Sequence, residues 1–456
     1  MKLKLNFDKT FQTFEGIGAS GAWWAQIAGG WDNVDSESGI AVRDRISQLL
    51  YSKTEGIGMR TYRYNIGGGS VESGKGDFWD SARRAESFDN GKGGYDFSKD
   101  ANAVYMMKQA AKDGADEIIL FVNSPIERLT KNGKAHLNKN QIFRTNLAPE
   151  NYGAFADYVL DVTEHFVKEG LPVKYLSPIN EPMWIWNGGQ EGCHYSPRQA
   201  GKVMLCVAKK LAERKALSGV MLSGVENGDI RWFNKAYTRH LLKYPEVRAK
   251  IDSVDLHSYC LEQKFLPAFA NNRLAFVKRF RKWMDKKYPA MPVKMSEWCH
   301  MQGGKNTGMD SALETAKVMC EDIGILNVTS WQHWIACSLY DYCDGLIYLD
   351  KENRSFELTK RYFVTGNFSK YIPFGAVRFE AESDDEAVTA LGFKKDCKAY
   401  FVLVNFSKEE KKTAFGADAF VAVTDKDSDL REYSAAKGEE IILTPESVTT
   451  VIVEVK

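Results

Sequence analysis

No cysteine pair of CxxC spacing occurs in this chain, although it has eight cysteines: Cys193, Cys206, Cys260, Cys299, Cys320, Cys337, Cys343 and Cys397. Their scatter argues against a structural zinc site and against a disulfide scaffold, and leaves buried thiols. Charge of one sign is also missing: 61 Lys and Arg face 60 Asp and Glu, for a net +1. So balanced a chain has no electrostatic footprint for nucleic acid or an anionic membrane, and suits an uncharged ligand. No apolar run reaches the roughly 20 residues that span a bilayer. Met1-Lys2-Leu3-Lys4-Leu5-Asn6 runs straight into strand-like sequence without an apolar h-region, so no secretory leader is read. With scattered thiols, this points to a cytoplasmic place for a chain native from Met1, and to secretion for one whose leader has been removed. Repeats, low-complexity tracts and linkers are absent too.

What is present is a large apolar fraction and an alternating pattern. At 456 residues and 44% hydrophobic content, the chain suits one large domain and a smaller one. Strand-like runs lie at Glu15–Trp23, Arg60–Ile66, Glu117–Asn123, Tyr175–Asn180, Val220–Val225, Ser253–Tyr259, Val293–Glu297 and Thr329–Ile335. Between them, apolar residues recur every three or four positions, as at Tyr152–Lys168, Pro197–Ala216 and Arg273–Tyr288. Ser196-Pro197 supplies an N-cap followed by Pro at the first helical position. Eight such units predict an α/β fold, a (β/α)8 TIM barrel over residues 14–372. A doubly wound sheet would want GxGxxG after an early strand. Gly67-Gly68-Gly69-Ser70 lacks that spacing and reads as a substrate-facing loop. From residue 373 onward the pattern becomes short β runs broken by Gly, Asp, Asn and Lys. These, with the strand-like Met1–Thr13, predict a β-sandwich side domain of residues 1–13 plus 373–456.

Two carboxylates end strands. Glu181 follows Tyr175–Ile179 in Asn180-Glu181-Pro182, and Glu297 follows Pro292–Met295 in Ser296-Glu297-Trp298. Barrel chemistry is carried at the C-terminal ends of strands, and strands four and seven lie across the barrel from each other. Two carboxyl groups there are the minimal equipment for cleaving a glycosidic bond; about 5 Å between them means retention and about 8 Å inversion. Asn180 is placed to bond a sugar hydroxyl. Arg63, on the second strand, enters an interior that is otherwise apolar, needs a carboxylate partner and is expected beside Glu297. Tyr259 and His257 end the sixth strand, where His257 reads equally as a satisfied core histidine. Glu226 and Glu191 are further acids, each read as binding a hydroxyl or organising a loop. Trp23, Trp24, Trp184, Trp186, Trp298, Trp331 and Trp334 fall at or near strand ends and read either as packing or as platforms for sugar faces. No His/Asp/Glu cluster of ligand spacing is visible, so neither metal nor cofactor is expected.

Taken together, these pieces resemble glycoside hydrolase family 30. They are Phe14-Glu15-Gly16-Ile17-Gly18, Arg63 within Arg60–Asn65, Ser177–Pro182, Ser296-Glu297-Trp298 and Gly366–Ile372. The resemblance covers nearly the whole chain. It implies retaining hydrolysis with Glu181 as acid/base and Glu297 as nucleophile, and a side domain built from both chain ends. Trp23-Trp24, Arg63–Gly68, Asn180–Pro182 and Gln190–Cys193 look most like the endo-β-1,6-galactanase branch. The expected substrate is therefore an oligo- or polysaccharide of β-linked galactose, of the arabinogalactan side-chain type. Two rivals stand beside it: an exo-acting β-glycosidase on short β-glucosides, β-fucosides, β-xylosides or β-galactosides, and a non-catalytic carbohydrate-binding barrel.

Overall fold

The structure, a computed structural model, describes residues 1–71, 80–137, 144–260 and 271–455. After an opening strand, β1 (Leu3–Phe14), eight strands follow in parallel: β2 (Gly16–Ser20), β3 (Thr61–Ile66), β4 (Glu117–Val122), β5 (Val173–Ser177), β6 (Met221–Leu222), β7 (Val254–His257), β8 (Val293–Trp298) and β9 (Ser330–Ser338). They are largely buried, and β4, Glu-Ile-Ile-Leu-Phe-Val, is buried throughout, as strands covered on both faces must be. β2 pairs with both β3 and β9, Gly18 lying opposite Thr61 and Gln332, which closes the ring. β6 and β7 meet only through single bridges, Leu222–Ile251 and Asn227–Leu256. Helices follow the strands on the outside, and Tyr152–Lys168 forms over the residues read from its periodicity. Pro197–Glu213 starts at a capping box: Gln199 N donates to the Ser196 hydroxyl at 3.4 Å, and Ser196 N donates back to Gln199 Oε1 at 2.9 Å. The fold is an α/β barrel of the TIM type.

A hairpin in the barrel is new to the sequence reading. Between β9 and the last helix, Lys360–Ser369, a hairpin of β10 (Gly345–Asp350) and β11 (Ser355–Leu358) intervenes. β10 runs parallel to β9, with Ile347 opposite Cys337, so the loop before it is held over the barrel mouth. The predicted strand Val220–Val225 pairs as a ladder only at Met221–Leu222.

Both chain ends build an antiparallel seven-stranded sheet, in which β1 pairs with Ala376–Ser383, Leu3 opposite Ser383. Its second layer is thinner than a full sandwich. A two-stranded ladder, Lys411–Thr413 with Ile441–Leu443, faces it, and Phe379, Phe401, Val421, Val451, Ile441 and Leu443 share the core. The strand Arg431–Ala435, rich in charge and poor in apolar residues, was not anticipated. Asn367, from the last helix, joins the two bodies: its side-chain NH2 donates to Ala422 O at 3.1 Å and to Thr450 Oγ1 at 3.0 Å. Thr450 Oγ1 donates in turn to Asn367 O at 2.7 Å, so the junction is buried and polar.

Candidate active site

Glu181, Glu297 and a third acid, Glu226, converge at the C-terminal ends of β5, β8 and β6. Arg63, fully buried on β3, ties them together: Nη1 donates to Glu297 Oε2 at 2.9 Å, and Nη2 to Glu226 Oε2 at 2.5 Å and to Asn180 Oδ1 at 3.0 Å. Its guanidinium lies 3.6 Å from the Phe121 ring centroid, so the barrel interior beneath it is aromatic. Asn180 donates from Nδ2 to Asn123 Oδ1 at 2.8 Å, which fixes its amide orientation. His257 spans the same acids: Nδ1 lies 2.9 Å from Glu181 Oε1 and 3.4 Å from Glu297 Oε1, while Nε2 lies 3.1 Å from Glu226 Oε2. Tyr259 donates its hydroxyl to Glu297 Oε1 at 3.3 Å.

Glu181 has left-handed backbone, φ 42°, and its N–H donates to Glu226 O at 2.7 Å. A Cβ at Gly228 would stand 2.6 Å from Glu181 Oε1 and 2.3 Å from Trp184 Nε1, so only glycine leaves room for both side chains. In the same way a Cβ at Gly192 would enter the Trp186 ring at 2.3 Å.

The charge balance of this cluster follows from burial. Glu226 is fully buried, which alone would raise its pKa. Arg63 and His257 outweigh that and hold it down at about 2. Burial disfavours the His257 imidazolium, yet Glu297, Glu181 and Glu226 push it up to about 10. Burial raises Glu297; His257 and Arg63 pull it back, Glu181 and Glu226 add to the rise, and it stands at about 7. Three carboxylates against two cations leave one negative charge in excess, which is why a proton returns to the cluster near neutral pH.

The cluster opens into a cleft of about 540 Å³. Asn180, Glu181, Trp184, Trp186, Tyr259, Glu297 and Trp334 all line it. Trp23 lines it as well, edge-on to Trp334 with centroids 5.1 Å apart. Five expected contacts do not line it; His257, 0% exposed, lies behind the acids it bonds, and the other four lie elsewhere. Trp24, 1% exposed, donates from Nε1 to Ser20 O at 2.9 Å in the core. Trp331, 0% exposed, donates to Asp322 Oδ2 at 3.1 Å on the helix side of β9. Trp298 packs outward against Trp331, centroids 6.1 Å apart. Glu191 organises a loop: it accepts from Gly68 N at 2.8 Å and from Ser70 Oγ at 2.6 Å. The Gly67–Ser70 segment is thereby folded onto Glu191 and does not line the cleft. Unanticipated wall residues, Arg83, Tyr340, Asp341, Tyr342 and Asp344, come mainly from the loop before β10.

Among the described residues, one oxygen each of Glu181 and Glu297 and a ring nitrogen of His257 lie within 4.8 Å of one another, close enough to hold a cation. Residues far apart in sequence make this group, so spacing could not reveal it. Its atoms are already committed to one another, and Arg63 at 2.9 Å from Glu297 opposes a further positive charge.

Fold and cleft define a barrel protein with ionisable groups gathered at the mouth, the class that carries chemistry at the C-terminal ends of its strands. The pattern of O-glycosyl hydrolase family 30 matches residues 1–348. The chain belongs to that family. Over 234 residues it is 29% identical to an endo-β-1,6-galactanase of Hypocrea rufa, covering 47% of each sequence. The match thus spans about half the length of that relative. Among solved structures, a conserved exported protein from Bacteroides fragilis superposes with TM-score 0.87 at 21% identity, over 99% of this chain and 100% of that one. A family 30 endoxylanase from Clostridium papyrosolvens gives 0.71 at 18% identity, over 100% of both. An endo-β1,6-glucanase gives 0.73 at 16% identity, over 100% and 94%. Among the described residues no helix is long and apolar enough to cross a membrane.

Proposed function

We propose that this chain is a retaining glycosidase, with Glu297 as nucleophile and Glu181 as acid/base, that cleaves within chains of β-1,6-linked galactose. The observation that carries the mechanism is the spacing. Oxygens of the two carboxylates lie within 4.8 Å, in a cleft of about 540 Å³. Retaining enzymes hold their carboxyls about 5–5.5 Å apart, whereas inverting ones leave about 6.5–9.5 Å for a water.

The steps follow from the side chains. A Glu297 oxygen bonds to the anomeric carbon as the glycosidic bond breaks, and Glu181 gives its proton to the leaving oxygen. Water then attacks the same carbon, yields a proton to Glu181 and releases Glu297. Arg63 and Tyr259 bond separate oxygens of Glu297 and orient it for attack. Support for the sugar and linkage is the similarity to the Hypocrea rufa enzyme.

The test is Glu297→Ala. Turnover should fall by about 10⁴-fold or more, because no covalent intermediate can form. Azide should partly restore cleavage and give a glycosyl azide of inverted configuration. Rescue with retained configuration would remove Glu297 from the nucleophile role.

A further inference from the structure

The loop before β10 carries a carboxylate that the reaction above does not use. Asp344 lines the cleft yet is only 5% exposed. Its Oδ1 accepts no hydrogen bond from any described residue. Its backbone is pinned, because His333 Nε2 lies 2.8 Å from Asp344 O. Burial drives the His333 ring down to about 3, so it is neutral and donates that N–H. Burial raises the Asp344 carboxyl to about 6, with Ser338 and its own backbone N–H pulling the other way, so the group is held in place on the cleft wall.

Arg361 and Arg83 both act on Asp344 through their charge, drawing its carboxyl back down against burial. Arg361 is fully buried, and its donors go elsewhere: Nε to Gly345 O at 3.0 Å, Nη1 to Ser311 Oγ at 2.6 Å, Nη2 to Tyr348 Oη at 3.0 Å. Arg83, on the same wall, lies 3.5 Å from Asp80 and stacks on Trp23 and Tyr340, 4.5 and 5.1 Å from their centroids. The carboxyl group that lines the cleft is thus fixed in place, and a carboxylate has more acceptor sites than these contacts fill. Cys299, also on the cleft wall, has its thiol pushed up by burial and by the charges of both Asp344 and Glu297, so the two acids flank one stretch of wall. Glu297 and Asp344 line the same cleft, so a ring presented to Glu297 shares that cleft with Asp344. The chemistry that satisfies a carboxylate there is a hydroxyl donor; a second carboxylate, as in a uronic acid, would be repelled.

We propose that Asp344 determines specificity in this cleft by accepting a hydrogen bond from one hydroxyl of the neutral sugar ring bound beside Glu297. The inference rests on the glycosidase reading above and names a feature of its substrate. A site built to pair with a hydroxyl rejects the analogue without it far more strongly than an apolar pocket rejects a missing methylene.

A coupling experiment tests it. The aryl β-glycoside that the full-length enzyme cleaves fastest serves as parent for a set of monodeoxy analogues. kcat/KM is measured on each with wild type, Asp344→Asn and Asp344→Ala. In wild type, loss of one particular hydroxyl should lower kcat/KM by roughly 10–100-fold, the range for a hydrogen bond to a charged group. In Asp344→Asn that same deletion should cost only a few-fold, while the other deletions cost what they cost in wild type. A purely structural Asp344 would lower every substrate by one common factor, and that result overturns the inference. So does an Asp344→Asn enzyme with wild-type kcat/KM on the parent. Asp344→Asn keeps the shape of the side chain, so the measurement survives if Asp344→Ala fails to fold. Wild type that cleaves the parent without this coupling sinks the inference alone. Wild type that cleaves no aryl glycoside sinks it together with the function on which it rests.

Discussion

The barrel holds charge at both ends, and the two ends are built differently. At the C-terminal mouth, Arg63 and His257 are shared among Glu181, Glu226 and Glu297, and the excess negative charge opens on a cleft. At the N-terminal end, Lys294 lies three residues before Glu297 on the same strand. It reaches Glu15 at 2.8 Å, Asp252 at 2.9 Å and the Tyr175 ring at 3.7 Å. Burial disfavours its ammonium, but Glu15, Tyr175 and Asp252 raise its pKa well above the usual lysine value. Its two paired acids are partly solvated, with side chains 22% and 32% exposed. Water therefore relaxes the floor, whereas in the mouth the protein alone must balance the charges. One strand thus carries a charge that closes the barrel and a charge that faces substrate.

Replacing Arg63 by Met should break the mouth most severely. Two carboxylates lose their shared cation, and Glu297, already at about 7, is pushed higher. The acidic limb of kcat/KM against pH should move up by a unit or more, with a loss of roughly 100-fold at neutral pH. An unmoved acidic limb would mean that Arg63 does not govern ionisation of the attacking group. Lys294→Met should do the reverse. Stability should fall by about 2 kcal/mol, below the usual 3–5 for a fully buried pair because solvent reaches its partners. Activity per folded molecule should stay near wild type. A thermal melt read beside kcat/KM separates these outcomes, and loss of rate without loss of Tm in Lys294→Met would erase the contrast between the two ends.

How much of this was readable beforehand depends on what each signal encodes. Helix periodicity is local, and Tyr152–Lys168 was read to the residue. Glu181 and Glu297 were legible as charges at the ends of apolar runs, and Arg63 as a charge within one. The tryptophans, read either as packing or as platforms, are sorted by strand alternation. Successive residues of a strand face opposite sides. Trp298 directly follows Glu297, and Trp331 stands three residues from Trp334, so each pair divides between the cleft and the helix layer. Glu226 could not be placed from sequence, because its role arises from partners 163 and 31 residues away, Arg63 and His257. The hairpin β10–β11 was missed because Gly345-Leu-Ile-Tyr-Leu-Asp gives an apolar run that helix and strand share. With it went the loop that supplies Tyr340 and Asp344.

A smaller effect separates the ends by pH. The mouth holds His257 protonated up to about 10, against an ordinary value of about 6.5. A raised pKa of this kind contributes stability that is complete below about pH 6.5 and is lost as pH rises toward 10. Urea unfolding at a series of pH values should show stability declining across that window in wild type, and declining less in His257→Gln. Equal slopes for the two proteins would place the charge of the mouth on another group.

The smallest effect concerns how far the mouth extends along a glycan. Trp184 and Trp186 follow Glu181 in one loop, while Trp23, Trp334 and Tyr340 form a second aromatic group in the same cleft. If both groups stack sugars, rings bind on either side of the broken bond, as cleavage within a chain demands. A stacked ring contributes on the order of 1 kcal/mol, about five-fold in rate. Trp184→Ala should therefore slow a long β-1,6-galacto-oligosaccharide by about that factor more than it slows a disaccharide. The product first released from the hexasaccharide decides the geometry. Mixed di-, tri- and tetrasaccharides mean that the cleft runs through the site. Monosaccharide alone, from the earliest time points, means that one aromatic group closes it, and the mouth then serves an enzyme that trims chain ends.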